Sequence, residues 1–180
     1  VNVQENDGRT GVLVAEPLER GFGLTLGNAI RRVLLSSLQG AAITSVKIKG
    51  VVHEFSTIPG VKEDLTDILL NLKSVAVKVH SPGLKKMYIK ATGPGEIRAG
   101  NFETDSETEI MNKDQLIMTL DSNADIEIEA NIETGKGYVS AEIAEDENKI
   151  IGEIKLDAMF SPVVKATYKI ENSRVGQVTD

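Results

Sequence analysis

Two adjacent arginines, Arg31 and Arg32, are the side chains whose type and position most clearly suggest specific chemistry. A guanidinium group is planar, always charged and able to pair bidentately with a carboxylate, so arginine is favoured at protein–protein interfaces. The arginines interrupt an apolar series with steps of three and four residues, namely Leu26, Ile30, Val33, Leu34 and Leu38. Neighbouring residues of a helix point about 100° apart, so both arginines cannot lie within that stripe. A solvated helix face is the alternative for the pair, because most arginines are exposed.

Other residue types that perform chemistry are present, but their spacing predicts no catalytic site. The two histidines, His53 and His80, are far apart, and neither has a second ligand at metal-binding spacing, so a structural role is the alternative for each. Asp and Glu number 27, yet no pair is forced into an apolar pocket, as general acid–base catalysis requires. Glu127 and Glu129 alternate with apolar residues and should face solvent. Three acidic residues lie where a helix start favours them: Glu63, Asp64 and Asp67. We expect no catalytic residue, cofactor or metal ion in this chain.

Length and composition indicate a soluble globular protein. The 180 residues, 41% of them apolar, are enough for one large core or two modest ones. The absence of cysteine excludes disulfides and thiolate metal sites and agrees with a reducing compartment, so we expect a cytoplasmic location. No apolar run approaches the roughly 18–20 residues of a membrane span, so no membrane contact is expected. The chain begins at Val1 without a methionine and ends at Asp180 without a tail signal, so we expect it to be part of a longer protein.

The negative charge is concentrated in the middle of the chain. The whole sequence carries a formal charge of −7. Residues 1–40 are balanced and residues 162–180 are slightly positive, so residues 41–161 hold all of the excess. An acidic surface repels phosphate backbones. We therefore expect no direct nucleic-acid contact from this region.

Residue periodicity predicts an α+β fold. Alternating apolar and polar residues indicate mainly antiparallel strands with one solvated face, at Ser45–Val51, Val75–His80, Ile126–Ile132 and Val164–Glu171. Turn residues occur at 81–83, 93–95 and 135–137, and the acidic stretch Ala141–Lys149 predicts a solvated loop. Apolar steps of three and four residues predict two helices, roughly Thr25–Ser37 and Lys62–Lys73.

Two breakpoints divide the chain, at Gly40 and at the pair Ser161-Pro162. The charge balance changes near both of them. This pattern suggests a β-rich domain of residues 41–161, inserted into a domain made of residues 1–40 and 162–180.

Four sequence blocks together resemble one known family. They are Glu16–Arg32, His53–Lys73, Gly135–Val139 and Ser161–Gln177, in the family's order and spacing. The chain resembles the N-terminal, assembly-directing domain of the bacterial DNA-directed RNA polymerase α subunit. The resemblance implies a dimerisation domain split by an inserted domain. It also implies a non-catalytic scaffold, in which two α copies dimerise and carry the β and then the β′ subunit for DNA-templated transcription. Nucleotidyl transfer and its magnesium are then expected in the large subunits.

The resemblance also implies roles for individual residues. The positions expected at the β or β′ interface are Arg31, Arg32, Leu35, His53, Lys73 and Leu156. Arg32, with Leu35 one turn on, matches the arginine that binds β in the family. Lys73 and Leu156 match positions implicated in β′ contact, although core packing is an equal alternative for Leu156. The residues expected at the α–α dimer interface are Leu26, Ile30, Val33 and Leu34.

A different class of function is the alternative when the resemblance is set aside. This is a small β-rich enzyme or ligand-binding domain with a pocket between its two parts. Such a protein should be a stable monomer whose melting temperature responds to a small molecule, whereas a scaffold should self-associate and co-purify with large partners. The sequence also departs from the family, because the long helix that normally follows Gln177 does not follow here. We therefore expect this stretch by itself not to form the normal dimer, and we expect no DNA-binding C-terminal domain within it.

Overall fold

The computed structural model describes residues 1–142 and 150–172, together with the backbone of residues 174–175 and 178–179. The chain divides into two compact units. We call residues 1–35 with 163–180 the terminal unit, and the continuous stretch 36–162 the insert unit. The predicted acidic loop falls mostly on residues 143–149, which lie outside the described residues. The role of either unit in dimerisation stays a prediction.

Two α-helices lie wholly within the described residues, α1 at Phe22–Ser36 and α2 at Leu65–Lys73, with a 3-10 turn at Ala99–Asn101. The strands in chain order are β1 Asn2–Asn6, β2 Gly11–Val14, β3 Gln39–Ile48, β4 Val77–Val79, β5 Lys85–Thr92, β6 Gly95–Arg98, β7 Glu103–Thr104, β8 Thr108–Ile110, β9 Leu116–Leu120, β10 Asp125–Lys136, β11 Tyr138–Val139, β12 Glu153–Lys155, β13 Ala158–Met159, β14 Arg174–Val175 and β15 Val178–Thr179. Every described strand pair is antiparallel. The predicted α+β class, with mainly antiparallel sheets and two helices, is confirmed.

A seven-stranded sheet forms the centre of the insert unit, in the order β7-β5-β10-β3-β4-β8, with β12 also paired to β3. Its longest strand, β10, lies between β5 and β3, so that Ile128 is opposite Ile89 on one side and Ile48 on the other. Alternate residues of β10 are at most 1% exposed: Ile126, Ile128, Ala130 and Ile132. This confirms the period-two pattern and places the polar residues of the strand on the opposite face.

Helix α2 packs its apolar face into the same core. Ile68 and Leu72 are fully buried. The helix begins at Leu65 rather than near Lys62, because the segment before it pairs with β9 through a bridge between Val61 and Leu120. The sequence predicted Glu63 at the helix start. The structure instead places it in this paired segment, before the helix begins.

Several strand limits differ from those predicted. Strand β3 begins at Gln39 and contains Gly40, where a side chain would collide with the carbonyl oxygen of Phe160. Strand β4 covers only Val77–Val79. Strand β10 continues through the first two residues of the predicted turn at 135–137. Of these three residues, only Gly137 has a positive φ, of 65°. Pairing partners far away in sequence set these limits, and a local pattern does not report them.

The terminal unit contains the β1–β2 hairpin and helix α1. In the hairpin turn, the Asp7 carboxylate accepts hydrogen bonds from the backbone N–H groups of Thr10 and Arg9, at 2.6 and 2.8 Å. These two bonds hold the pKa of Asp7 below its ordinary value, and the bond from Thr10 has the larger effect. The turn is therefore fixed by a local acceptor, as expected for an Asx turn.

A strand predicted over Val164–Glu171 is absent, since residues 163–172 carry no strand assignment. Residues 166–170, which we call the strap, contact helix α1 instead. Ala166 and Tyr168 each make a hydrogen bond to the helix. Val164, which the pattern placed on the buried face, is 97% exposed. Apolar and polar residues do alternate here, but Tyr168 and Ile170 of the strap lie against a helix rather than in a sheet core.

Candidate functional site

Helix α1 carries the predicted dimer residues, and it begins where the preceding loop supplies a first hydrogen bond. The Phe22 N–H donates to the Glu19 carbonyl at 3.0 Å, next to Gly21 at a φ of 80°. None of the helix's 15 residues is buried. Of the four predicted residues, Ile30 and Val33 are 41% and 50% exposed, and Leu26 and Leu34 are half-buried. The helix therefore presents apolar side chains to its surroundings in this chain.

The two arginines of α1 lie in different surroundings. The Arg31 Nε donates to the Ala166 carbonyl oxygen at 3.0 Å. Arg32 is exposed, and it points about 100° away from Arg31 around the helix axis. Leu35 is half-buried and lies one turn from Arg32 on the same side. Both arginines were predicted at the β or β′ interface; the structure shows Arg31 bonded to the strap, and an interface role for either arginine stays a prediction.

His53 lies in an exposed turn after the third strand. Its Nδ1 accepts a hydrogen bond from the Phe55 N–H at 3.1 Å, and the two rings are 6.2 Å apart. Phe55 and Val52 are 81% and 64% exposed. The histidine thus orders a turn that displays apolar side chains, and an interface role for it stays a prediction.

Lys73 and the segment around Leu156, predicted to face the same partner, are brought together by the fold. The Lys73 ammonium lies 3.4 Å from the Asp157 carboxylate. Asp157 also accepts the Ala141 N–H at 2.8 Å. The hydrogen bond from Ala141 and the smaller effect of Lys73 together hold the pKa of Asp157 below its ordinary value. Burial and a hydrogen bond to Asp157 raise the pKa of Tyr138.

Leu156 itself is only 5% exposed and belongs to the hydrophobic core. Its backbone N–H donates to the Thr44 carbonyl at 2.8 Å, which fixes it beside β3. The core-packing alternative is therefore what the structure supports for this side chain. Beside it lie the half-buried Asp157 and, on β11 and β13, the exposed Tyr138 and Met159, at 58% and 62% exposure.

Sequence reasoning missed Asp157 and Tyr138. Asp157 contacts Lys73 and Ala141, and Tyr138 makes a hydrogen bond to Asp157. These contacts join residues far apart along the chain, and no local spacing reports them. The surface formed by Lys73, Tyr138, Asp157 and Met159 we call the acid–lysine cluster. His53 bonds within its own turn, so it belongs to a separate group.

The polar face of the large sheet forms an open groove of about 350 Å³. It is lined by Lys47, Lys49, Tyr88, Glu127 and Glu129, among others. Glu127 accepts the Tyr88 hydroxyl at 2.9 Å, and Glu129 lies 2.8 Å from the Lys86 ammonium. These carboxylates lie on the solvent face, as predicted, and their cross-strand pairs stabilise the sheet.

Within residues 1–142 and 150–172, no three carboxylate, histidine or cysteine side chains lie together in a way that could hold a metal ion. In the same part of the chain, no helix is both long and apolar enough to cross a membrane.

Comparison with known families identifies the family of the chain. The family model described as the RNA polymerase Rpb3/RpoA insert domain matches residues 46–161, which is more than half of the chain. The matched range lies within the insert unit. It contains helix α2, the acid–lysine cluster and the large sheet apart from residues 39–45 of β3. The family predicted from the four sequence blocks is thereby confirmed. The chain belongs to the RNA polymerase Rpb3/RpoA insert-domain family, as an α/Rpb3-type subunit of DNA-directed RNA polymerase that acts in transcription within the polymerase complex.

Proposed function

We propose that the chain is a non-catalytic scaffold of a bacterial, cytoplasmic RNA polymerase. Two copies dimerise through α1 and form the platform on which the β and then the β′ subunit assemble. The observation that carries this proposal is helix α1, an amphipathic helix of 15 residues with no buried side chain. A helix of that kind is rarely stable without a surface to cover its apolar face.

The geometry of α1 allows it to serve two partners at once. At about 100° per residue, Leu26, Ile30, Val33 and Leu34 fall within an arc of roughly 100° on one side. Arg32 points to the other side of the helix, and Leu35 lies nearer to it than to the apolar arc. The apolar arc suits a second copy of the chain. Arg32 suits a carboxylate on β, because its guanidinium can pair bidentately.

The acid–lysine cluster supports a second contact surface on the insert unit, which we assign to β′. Lys73 and Asp157 stand beside the exposed side chains Tyr138 and Met159. Aromatic and methionine side chains near a charged pair are typical of interface centres. The acidic charge of residues 41–161 opposes nucleic-acid binding here, so we assign DNA contact, magnesium and nucleotidyl transfer to the large subunits.

The test is the binding of purified β subunit to the full-length parent chain that contains these residues, measured on a sizing column with light scattering. The wild type should elute as two copies with one β. Arg32→Ala should remain dimeric and folded but weaken β binding by about 2 kcal/mol or more, as expected for a hot-spot arginine. Its stability should change by less than about 0.5 kcal/mol, since the side chain is exposed.

The matched control is Arg9→Ala, in the exposed hairpin turn of the same unit. It removes the same charge and should leave β binding unchanged. A wild-type chain that runs as a monomer and ignores β would contradict the scaffold. Equal losses for both variants would instead indicate a general charge effect and contradict the assignment of Arg32.

A further inference from the structure

Two side-chain hydrogen bonds join helix α1 to the strap of residues 166–170. The Arg31 Nε donates to the Ala166 carbonyl oxygen at 3.0 Å. The Tyr168 hydroxyl donates to the Asn28 side-chain oxygen at 2.8 Å. Both bonds span more than 130 residues of sequence and lie within the terminal unit.

The strap runs antiparallel to the helix with a matched repeat. Helix residues 31, 27 and 23 face strap residues 166, 168 and 170 in that order. Four helical residues rise about 6 Å, and two extended residues rise about 6.6 Å, so the two series stay in step. Alternate strap residues therefore meet successive turns of the same helix face.

A glycine makes the closest approach possible. A Cβ at Gly27 would lie 2.6 Å from a ring carbon of Tyr168, so any side chain there would push the ring away. At Gly23 the corresponding distance to Ile170 is 3.6 Å, an ordinary contact. The ring of Tyr168 is thus seated on bare backbone in the middle of the strap.

We propose that Arg31 is a positioning residue, which holds the strap across α1 and affects partner binding only through it, whereas Arg32 contacts the partner. The bonds to the strap help to fix the rotation of α1, none of whose residues is buried. The helix in turn sets the direction of Arg32. The link to partner binding rests on the proposed function, since it takes β as the partner.

Two variants of Arg31 separate its hydrogen bond from its charge. In Arg31→Gln, the side-chain nitrogen lies the same number of bonds from Cα as the arginine Nε, so a donor remains and the charge is lost. Arg31→Met has similar length but no donor. Arg32→Gln is the matched control, because it removes the same charge one residue along.

Two measurements are made on the full-length chain. The first is the rate of trypsin cleavage after Lys165 and Lys169, which are exposed residues in and beside the strap, followed by mass spectrometry. The second is the dissociation constant for purified β. Arg31→Met should speed cleavage and weaken β binding by about fivefold each, the effect of one net hydrogen bond. Arg31→Gln should stay within about twofold of wild type in both, by the same reasoning. Arg32→Gln should weaken β binding without changing cleavage.

Two results would overturn the proposal. If Arg31→Gln loses β binding as strongly as Arg31→Met while cleavage stays slow, the Arg31 charge touches the partner directly. If Arg31→Met changes neither cleavage nor binding, Arg31 does not hold the strap. Failure of the wild-type chain to bind β overturns the proposed function and the link to partner binding. The cleavage rates are measured on the free chain, so they still decide whether Arg31 holds the strap.

Discussion

The two units of this chain differ in how they are held together. Every buried side chain among the described residues lies in the insert unit, between Ile43 and Ser161. The described part of the terminal unit has no buried residue, although it contains a hairpin, a helix and the strap. The insert unit therefore carries its own hydrophobic stabilisation, and the described part of the terminal unit shows no comparable core.

The difference suggests a division of labour within one sequence. A unit with a complete core keeps its shape before and after assembly, and can present a fixed surface such as the acid–lysine cluster. A unit without a core gains its burial when partners arrive, so its stability is coupled to association by mass action. Hydrogen exchange of the full-length chain, resolved by peptide, measures the two units separately.

The largest expected effect is the loss of self-association when a charge is placed on the apolar face of α1. Ile30→Asp and Val33→Asp would each bury a carboxylate in an apolar contact, which is costly without a partner charge. We expect the dissociation constant of the dimer to rise about 100-fold or more for either variant. Sedimentation at several concentrations measures it. Hydrogen exchange should also lose its concentration dependence in peptides from residues 2–36.

Leu84→Asp is the control, because Leu84 is 55% exposed on the insert unit. It adds the same charge at a similarly exposed apolar position and should leave self-association unchanged. If Ile30→Asp and Val33→Asp both dimerise like wild type, the apolar face of α1 is not the dimer contact. The terminal unit would then need another explanation for its lack of a core.

A smaller effect, confined to the other unit, is expected from the core of the large sheet. Ile128 is fully buried, with 0% exposure, in strand β10 between β3 and β5. Ile128→Ala should destabilise the insert unit by about 3 kcal/mol through lost burial and a cavity. Ile30→Ala should cost less than about 1 kcal/mol in the dilute chain, because its side chain is already 41% exposed. Urea titration followed by hydrogen exchange measures both. Equal costs for the two would remove the contrast between the units.

Much of the fold could be predicted from sequence where burial follows local period. The alternation in β10 and the apolar face of α2 predicted the core residues of these elements correctly. The reason is that the geometry of a strand or helix fixes the direction in which each of its side chains points. The strap shows the limit. Its apolar and polar residues do alternate, but such a segment can pack on a helix with matched spacing as well as on a sheet. Which of the two it packs on depends on residues far away in sequence.

The candidate site was predictable to a smaller extent. The arginine pair and the apolar series of α1 were visible because helical spacing orders them. The bond that Arg31 makes to the strap was not visible, because it depends on the distant backbone carbonyl of Ala166. Asp157 and Tyr138 gave no signal for the same reason, and Leu156 satisfied a sequence match while its side chain lay in the core.

The smallest expected effect is a pH dependence confined to the insert unit. Glu63 accepts hydrogen bonds from the backbone N–H and hydroxyl of Thr119, at 2.6 and 2.9 Å. Partial burial alone would raise the pKa of Glu63, but the two Thr119 bonds outweigh it and hold that pKa below its ordinary value. The folded state therefore binds the proton of Glu63 less readily than the unfolded state. The stabilisation is fully present above the ordinary glutamate pKa of about 4.3 and is lost as the pH falls through the lower folded pKa.

Glu63→Gln removes this titration while keeping the shape of the side chain. At pH 7 the variant should be less stable by about 1 kcal/mol, because an amide accepts these bonds more weakly than a carboxylate. The difference from wild type should shrink as the pH falls below about 4, since protonated Glu63 resembles the amide. Asp7→Asn is the matched control in the terminal unit, where the same kind of shift occurs in an exposed turn. It should leave the insert unit's unfolding curve unchanged at every pH. A constant difference between wild type and Glu63→Gln from pH 7 to pH 3 would mean that packing, and not the charge on Glu63, joins the segment before α2 to β9.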